Sequence, residues 1–307
     1  MPHLHEHVRS VAAPQVPVTV PAPPVAPVAR AAAPSFDEAS LVVPAVASVR
    51  DLHIGDADGT DLVHGVDLAV RPGEAVGIVG ESGSGKTLTC RALLGILPPG
   101  LRITGGTVTI DGVDLTDPTS ARWRGVRGRR IGAVFQDPAS YLNPAIRVGD
   151  QLQEVLRVTA GVPRAKTRDR ARELLDSLGL RDVDTVLRRR VAELSGGMLQ
   201  RIMIAIALAA DPAVLIADEA TTALDVTVQA ELLDLLRTLR LERGLALILV
   251  SHDLAVVSQV CERVAVFRDG RIVEAGGTNR VLRAPGHPYT RQLLAAHNEY
   301  GLERYLR

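Results

Sequence analysis

Three runs of consecutive apolar residues lie at positions 75–79, 213–217 and 245–250. A strand that is buried on both faces is apolar throughout, as in parallel sheets. Each run therefore predicts a buried parallel strand. Two further stretches, residues 46–52 and 67–70, predict shorter strands near the start of the ordered sequence.

The residues between these strands predict helices and two hairpins. Residues 87–97 predict a helix, and residues 150–190 carry leucines at helical spacing among many charges, which is typical of a helical subdomain. Residues 106–115 predict a small hairpin that turns at Asp111-Gly112. Residues 263–267 and 271–274 flank a second turn at Asp269-Gly270. The alternation of strands and helices indicates an α/β fold.

The first 40 residues differ in composition from the rest of the chain. They are rich in Pro, Ala and Val, with Pro21, Pro23, Pro24 and Pro27 close together. Because proline lacks an N–H group and fixes φ, this stretch predicts a disordered extension at residues 1–40.

Composition excludes some classes of function. The 307 residues are 46% hydrophobic, and 35 basic residues balance 35 acidic ones, which gives no argument for a nucleic-acid partner. Two cysteines, Cys90 and Cys261, form no disulfide framework and no metal-ligand spacing, so we expect a reducing cytosol. No stretch reaches the roughly 18 apolar residues of a membrane span, so a transport path would need other subunits.

A glycine-rich loop follows the first apolar run and precedes the predicted helix. It fits the phosphate-loop pattern G-x-x-x-x-G-K-[ST] in full. The loop, which we call the phosphate loop, consists of Gly80, Glu81, Ser82, Gly83, Ser84, Gly85, Lys86 and Thr87. Its backbone N–H groups can bind phosphate oxygens, Lys86 would contact the β- and γ-phosphates of ATP, and Thr87 would bind Mg²⁺. Lys86 is one of only two lysines in the chain, which makes chance placement a poor explanation.

Two carboxylates follow the second apolar run. Asp218 is expected at the carboxyl end of its strand, facing the phosphates, where it would hold Mg²⁺ through water. Glu219 would orient or deprotonate the attacking water. The alternative is an ordinary acidic loop after a strand.

Three further motifs are Gln136, then Leu194-Ser195-Gly196-Gly197, which we call the signature segment, and His252. Together with the phosphate loop and the two carboxylates, they resemble the motifs of the ABC-type ATPases that drive membrane transporters. The resemblance implies that Gln136 reaches the metal and the water and that His252 contacts the γ-phosphate. It also implies that Ser195, Gly196 and Gly197 bind the γ-phosphate held by another subunit. Asp225 fits the loop that joins the two halves.

The resemblance implies a phosphate-loop ABC-type ATPase core with an antiparallel β subdomain and an inserted helical subdomain. We expect the ATPase domain at residues 41–284, its helical subdomain at about 138–195, and a short tail at 285–307. The implied activity is hydrolysis of ATP with Mg²⁺ as cofactor. The implied partners are a second ATPase subunit, two permeases and an extracellular binding protein, with the chain peripheral on the cytoplasmic face of the membrane.

Within the family, the chain is most similar to the importer branch for peptides and nickel. The segments that carry this similarity are GESGSG at 80–85, FQDP at 135–138, LSGGMLQR at 194–201, ADEATTALD at 217–225 and HPYT at 287–290. The tail slightly favours nickel or a metal chelate over peptides. The chain departs from the family at Met198, at Ala220, which replaces the usual proline, and in lacking an adenine-stacking aromatic between Ser48 and Gly73.

Two other classes of function stay open on the sequence alone. One is a soluble ABC ATPase that acts on the ribosome or DNA, although a single signature segment without sustained heptads argues against it. The other is a regulatory module with an inactive site. Five arginines surround Trp123, at positions 122, 124, 127, 129 and 130. We expect them to form a solvated face rather than a surface that binds nucleic acid.

Overall fold

The computed structural model describes residues 43–220 and 225–298. The predicted extension at 1–40 lies outside these residues, as does the end of the predicted tail beyond residue 298. Asp225 is described, whereas the four residues before it are not.

A six-stranded sheet forms the centre of the fold, with strand order β10-β9-β3-β8-β7-β6. All neighbouring pairs are parallel except β9 and β10, which are antiparallel. The strands of this sheet are β3 (Ala75–Gly80), β6 (Ile131–Phe135), β7 (Val214–Asp218), β8 (Ala246–Val250), β9 (Arg263–Arg268) and β10 (Arg271–Gly277). The three apolar runs become β3, β7 and β8, so the prediction of buried parallel strands is confirmed.

A second sheet of four antiparallel strands has the order β2-β1-β4-β5. Its strands are β1 (Ala47–Gly55), β2 (Asp61–Val70), β4 (Arg102–Ile110) and β5 (Val113–Asp114). The predicted turn at Asp111-Gly112 is confirmed, with φ of 50° and 74° at its two residues. β2 begins six residues earlier than expected, at Asp61 rather than 67, because Asp61 already pairs with Gly55 of β1.

Most helices lie in the connections between strands, and the last two follow the final strand, β10. They are α1 (Lys86–Leu94), α2 (Trp123–Val126), α3 (Pro138–Tyr141), α4 (Val148–Val158), α5 (Thr167–Ser177), α6 (Val183–Arg188), α7 (Gly196–Leu208), α8 (Val226–Arg243), α9 (Leu254–Val260), α10 (Thr278–Arg283) and α11 (Pro288–Asn298). Short 3-10 helices lie at Arg164–Lys166 and Val191–Glu193. Within the part of the chain that the structure describes, no helix combines the length and apolar character needed to cross a membrane.

Helix α1 ends three residues before the expected position. Gly95 adopts a left-handed conformation (φ 63°), which terminates the helix after Leu94. The Arg127 side chain donates hydrogen bonds to the carbonyl oxygens of Leu94 and Gly95 and stacks on Trp123. One of the arginines around Trp123 therefore caps the helix that follows the phosphate loop. Its positive charge interacts favourably with the negative end of the helix dipole.

Two apolar clusters cover the two faces of the six-stranded sheet. Within β7, Leu215 and Ala217 face a cluster with helices α4 to α9, whereas Val214 and Ile216 face a cluster with α1 and the antiparallel sheet. Helix α1 lies between the two sheets, and Cys90 on it is buried. The end of the phosphate loop that enters α1 is therefore anchored by packing on both sides.

Candidate functional site

The phosphate loop leaves the carboxyl end of β3 and enters α1 in a conformation that requires glycine. Gly83 and Gly85 have φ of 81° and 101°, and Gly80 has φ of 149°. A Cβ atom on Gly80 would lie 2.2 Å from the carbonyl oxygen of Phe267, so a side chain cannot be accommodated there. Gly85 gives no side-chain cap to α1, which leaves the N–H groups of the first turn directed toward the loop.

Lys86 lies folded against this loop and is only 4% exposed. Its Nζ donates hydrogen bonds to the carbonyl oxygens of Gly80 (2.8 Å) and Glu81 (2.7 Å). Burial lowers the pKa of Lys86, and the nearby carboxylates of Glu219 and Asp218 act in the opposite direction. The ammonium group is therefore held at the loop beside two acidic side chains.

Asp218 is the last residue of β7 and faces Thr87 at the start of α1. The Thr87 hydroxyl donates a hydrogen bond to Asp218 Oδ1 over 3.3 Å. Burial raises the pKa of Asp218, while the Thr87 bond lowers it and the Glu219 carboxylate raises it further. The parallel register pairs Asp218 with Phe135 of β6 and with Val250 of β8, which brings three strand ends to one edge.

Glu219 has an unusual backbone conformation immediately after β7. Its φ of 50° lies in the left-handed region, which costs a non-glycine residue about 1–2 kcal/mol. Its N–H donates a hydrogen bond to the Val250 carbonyl oxygen over 3.0 Å, which fixes the turn against the end of β8. Strain of this kind concentrates at functional sites because surrounding contacts must hold it in place.

A polar cavity of about 410 Å³ joins the predicted residues at this edge. Five of them line it, namely Ser82, Thr87, Gln136, Asp218 and Glu219. Gln136 follows β6 directly and is exposed. A larger open cavity of about 740 Å³ lies around α5 and α6, between Arg172 and Asp184, and contains none of the predicted site residues.

His252 lies at the same edge of the sheet, two residues beyond β8. It is exposed and does not line the cavity. Its neighbour Ser251 donates a backbone hydrogen bond to Ile78, and Asp253 caps helix α9 through the N–H of Ala255. The local structure places His252 within the turn between β8 and α9, and its contact with a phosphate stays a prediction.

The signature segment lies apart from this cavity. Ser195 caps α7 by accepting a hydrogen bond from the N–H of Met198 (3.3 Å), and Ser195 and Gly196 are exposed. Gly197 packs against the start of α8, where a Cβ atom on it would lie 2.8 Å from Val228. Asp225 caps that helix by accepting from the N–H of Val228. The structure therefore brings Asp225 close to Gly197, and places neither in the cavity beside Lys86.

Three side chains near the site were missed by sequence reasoning. Arg91 lines the cavity one helical turn after Thr87, a spacing that could have indicated it. Tyr141 stacks on Phe135 with ring centroids 4.7 Å apart, beside Gln136. Tyr289 contacts the phosphate loop from the far end of the chain. No local pattern predicts the last two contacts.

The fold and this site define a phosphate-loop ATPase with a parallel core sheet, an antiparallel sheet and helices inserted before the signature segment. Residues 63–222 match the family model for the ABC transporter. The chain belongs to this family, and it is an ATP-binding subunit with ATPase activity. The expected fold class is confirmed.

Relatives and solved structures agree with this assignment. The chain is 44% identical to a Brucella melitensis protein named for peptide import, ATP-binding protein BMEII0206, across 78% of this chain and 73% of that protein. It is 43% identical to the peptidoglycan transport ATP-binding protein YejF of Agrobacterium fabrum, across 81% of this chain and 46% of that protein.

Among solved structures, the chain is similar to the dimeric ATP-binding cassette MJ0796 bound to ADP and Pi. The TM-score is 0.66 at 27% identity, over 76% of this chain and 98% of that one. It is also similar to cbiO1 of Clostridium perfringens, part of the ABC transporter complex cbiONQ. That TM-score is 0.67 at 26% identity, over 85% of this chain and 96% of that one.

Proposed function

We propose that this chain hydrolyses ATP to drive peptide uptake across the cytoplasmic membrane, as the peripheral ATPase subunit of an importer. The observation that carries the catalytic part is the convergence of Thr87, Gln136, Asp218 and Glu219 on one cavity beside the phosphate loop. The names of its relatives support peptides as the cargo. Nickel or a metal chelate stays a prediction from the tail alone.

The residues at the cavity fit a magnesium ion. Mg²⁺ prefers oxygen ligands, and the Thr87 hydroxyl lies 3.3 Å from the Asp218 carboxylate, with the Gln136 amide in the same cavity. When bound, Mg²⁺ neutralises charge on the β- and γ-phosphates. Thr87, Gln136 and Asp218 would hold it, directly or through water.

The remaining roles follow from position. Lys86 and the N–H groups of the loop would bind the phosphates, and Glu219 would orient or deprotonate the attacking water. Gln136 would reach the metal and the attacking water from the end of β6, and His252 would contact the γ-phosphate from beyond the end of β8. Because the signature segment and Asp225 lie outside the cavity, we propose that they complete the site of a second ATPase subunit.

The full assembly would contain two permeases, that second ATPase and an extracellular binding protein. Purifying the tagged chain from its own membranes and identifying the co-purified subunits tests this composition. Recovery of ribosomal proteins without permeases would favour instead a soluble ABC ATPase that acts on the ribosome or DNA.

A Glu219→Gln variant tests the catalytic assignment. We expect ATP binding within about twofold of wild type and a loss of turnover of about 100-fold or more, because the amide cannot accept a proton from water. Binding is measured with a fluorescent ATP analogue and turnover by phosphate release.

The matched control is Glu231→Gln, which alters an exposed carboxylate on α8 that pairs with Arg201. It should leave turnover unchanged. Normal turnover in Glu219→Gln would remove Glu219 from the mechanism. For the cargo, cells that carry Glu219→Gln should lose uptake of labelled peptides; loss of nickel uptake alone would redirect the cargo assignment.

A further inference from the structure

The C-terminal segment of the described chain reaches back to the phosphate loop. The hydroxyl of Tyr289, at the start of α11, accepts a hydrogen bond from the backbone N–H of Glu81 over 3.1 Å. The two residues are 208 positions apart in the sequence. Tyr289 is only 3% exposed, so its hydroxyl is held within the protein at the point where the loop begins.

Several contacts fix Tyr289 in place. The guanidinium of Arg268, at the end of β9, lies 4.8 Å from the centre of its ring. The loop before α11 is anchored by the Glu274 carboxylate, which accepts hydrogen bonds from the N–H groups of Gly286 and His287. Further along α11, Leu293 joins the apolar core. The ring is therefore rigid, and its hydroxyl presents a fixed acceptor to the loop.

The same loop residue also contacts the lysine of the site. The carbonyl oxygen of Glu81 accepts from Lys86 Nζ over 2.7 Å, while its N–H donates to Tyr289. Glu81, Ser82 and Gly83 are the exposed part of the loop. A glycine-rich stretch has many accessible backbone conformations, so a fixed bond at Glu81 restricts the half of the loop that packing does not hold.

We propose that Tyr289 is a positioning residue for ATP binding, which holds the phosphate loop in its phosphate-binding conformation from the C-terminal segment. This inference rests on the proposed role of the phosphate loop and Lys86. A loop that is ordered before ATP arrives loses less entropy on binding, so the bond contributes to affinity without touching the nucleotide. The groups that act on the attacking water lie on other strand ends and are unaffected.

The test is Tyr289→Phe in the full chain, which removes only the hydroxyl. We expect the dissociation constant of a fluorescent ATP analogue and the KM for ATP to rise about fivefold to tenfold, the usual value of one hydrogen bond. The kcat should stay within about twofold, and the unfolding temperature should change little. A purely structural role would instead lower the unfolding temperature and leave KM unchanged.

Two neighbouring variants serve as control and support. Gln292→Ala alters an exposed side chain on the same helix, so its KM should match wild type. Arg268→Met loosens the Tyr289 ring but keeps the hydroxyl, so it should raise KM by a smaller factor. If Tyr289→Phe is unstable, Arg268→Met decides the matter.

Lys86→Ala distinguishes a failure of the role of Tyr289 from a failure of the proposed phosphate site. If Lys86→Ala abolishes nucleotide binding while Tyr289→Phe and Arg268→Met both bind within twofold of wild type, only the role of Tyr289 is overturned. If Lys86→Ala binds nucleotide normally, the proposed phosphate site itself fails.

Discussion

Two glycine-flanked helix starts, those of α1 and α7, differ in what surrounds them. The start of α1 lies between two sheets, with Lys86 and Asp218 buried beside it. The start of α7 presents Ser195 and Gly196 to solvent, and no acidic or basic residue lies in its first turn. One region thus forms a polar cavity within the chain, whereas the other presents polar groups outward.

The difference shows how the same local motif serves two kinds of site. Helix N-termini attract anions in both cases. Only the first has a buried cation and a buried carboxylate, with the Thr87 hydroxyl 3.3 Å from that carboxylate, which agrees with an ATP-binding site contained within one chain. The second needs an opposing surface, which agrees with the proposed role of a second ATPase subunit. Three substitutions test this contrast.

The largest effect is expected for Lys86→Ala. Removing a buried cation from the phosphate site should weaken ATP binding by the isolated chain at least about 100-fold, the size expected for truncating one member of a desolvated charge pair. Titration of the purified variant with a fluorescent ATP analogue measures the change.

The second lysine supplies the control. Lys166 is exposed on the short 3-10 helix before α5, so Lys166→Ala should bind ATP as wild type does. If Lys86→Ala binds ATP within threefold of wild type, the ATP-binding site at the start of α1 does not depend on Lys86 in the way that the contrast requires.

An intermediate effect is expected for Asp218→Asn, which removes the buried carboxylate but keeps its shape. Turnover with Mg²⁺ should fall about 10- to 100-fold, as for other groups that hold a metal through water. Stability without Mg²⁺ should rise at neutral pH, because ionised Asp218 is buried beside Glu219. Phosphate release and thermal unfolding measure the two effects.

The pH dependence of that stability gain has a defined sign. The pKa of Asp218 is raised above its usual 3.8, so the folded state binds this proton more tightly than the unfolded state. The unfolding free energy of wild type therefore decreases as pH rises from about 4 through the raised pKa, and Asp218→Asn lacks this decrease. Below that pH range, the unfolding free energies of wild type and Asp218→Asn should converge. The control is Asp234→Asn, which alters an exposed carboxylate on α8. An equal gain in unfolding free energy from that substitution would refute the explanation.

The smallest effect is expected for Ser195→Ala in the second region. ATP binding by the isolated chain should stay within about twofold, while turnover of the assembled ATPase should fall about tenfold through loss of one hydrogen bond to a charged phosphate. The lost helix cap should also cost about 1 kcal/mol of stability. Ser195→Thr, which keeps the hydroxyl, should restore both. Weakened ATP binding by isolated Ser195→Ala would place the two regions in one site.

The elements that could be predicted from sequence are those that local chemistry determines. The strands β3 and β8 are apolar throughout, and β7 is apolar up to its last residue, Asp218, because both faces are buried. The phosphate loop needs glycine at fixed places. The early start of β2 could not be predicted, because it depends on pairing with β1. The end of α1 at Gly95 carried a local signal, because glycine in a left-handed conformation commonly terminates a helix.

The candidate site also combines residues that local sequence identifies with contacts that only tertiary packing creates. Lys86 is recognisable from its place in the phosphate loop after β3. Asp218 and Glu219 are recognisable because they come at the end of the apolar run that forms β7. The contact between Tyr289 and Glu81 depends on the packing of α11, and the left-handed turn at Glu219 depends on a hydrogen bond to β8. Both arise from tertiary structure, which sequence patterns do not contain.

The burial of Lys86 makes the chain suitable for selective chemical labelling. Its amine is one of only two on side chains, and because burial lowers its pKa, more of it is unprotonated and nucleophilic at a given pH than for an exposed lysine. An amine-reactive reagent shaped like a nucleotide would reach Lys86 through the loop, whereas a general reagent would first modify exposed Lys166. The ratio of the Lys86 adduct to the Lys166 adduct would report directly how often the phosphate loop holds a nucleotide-like molecule.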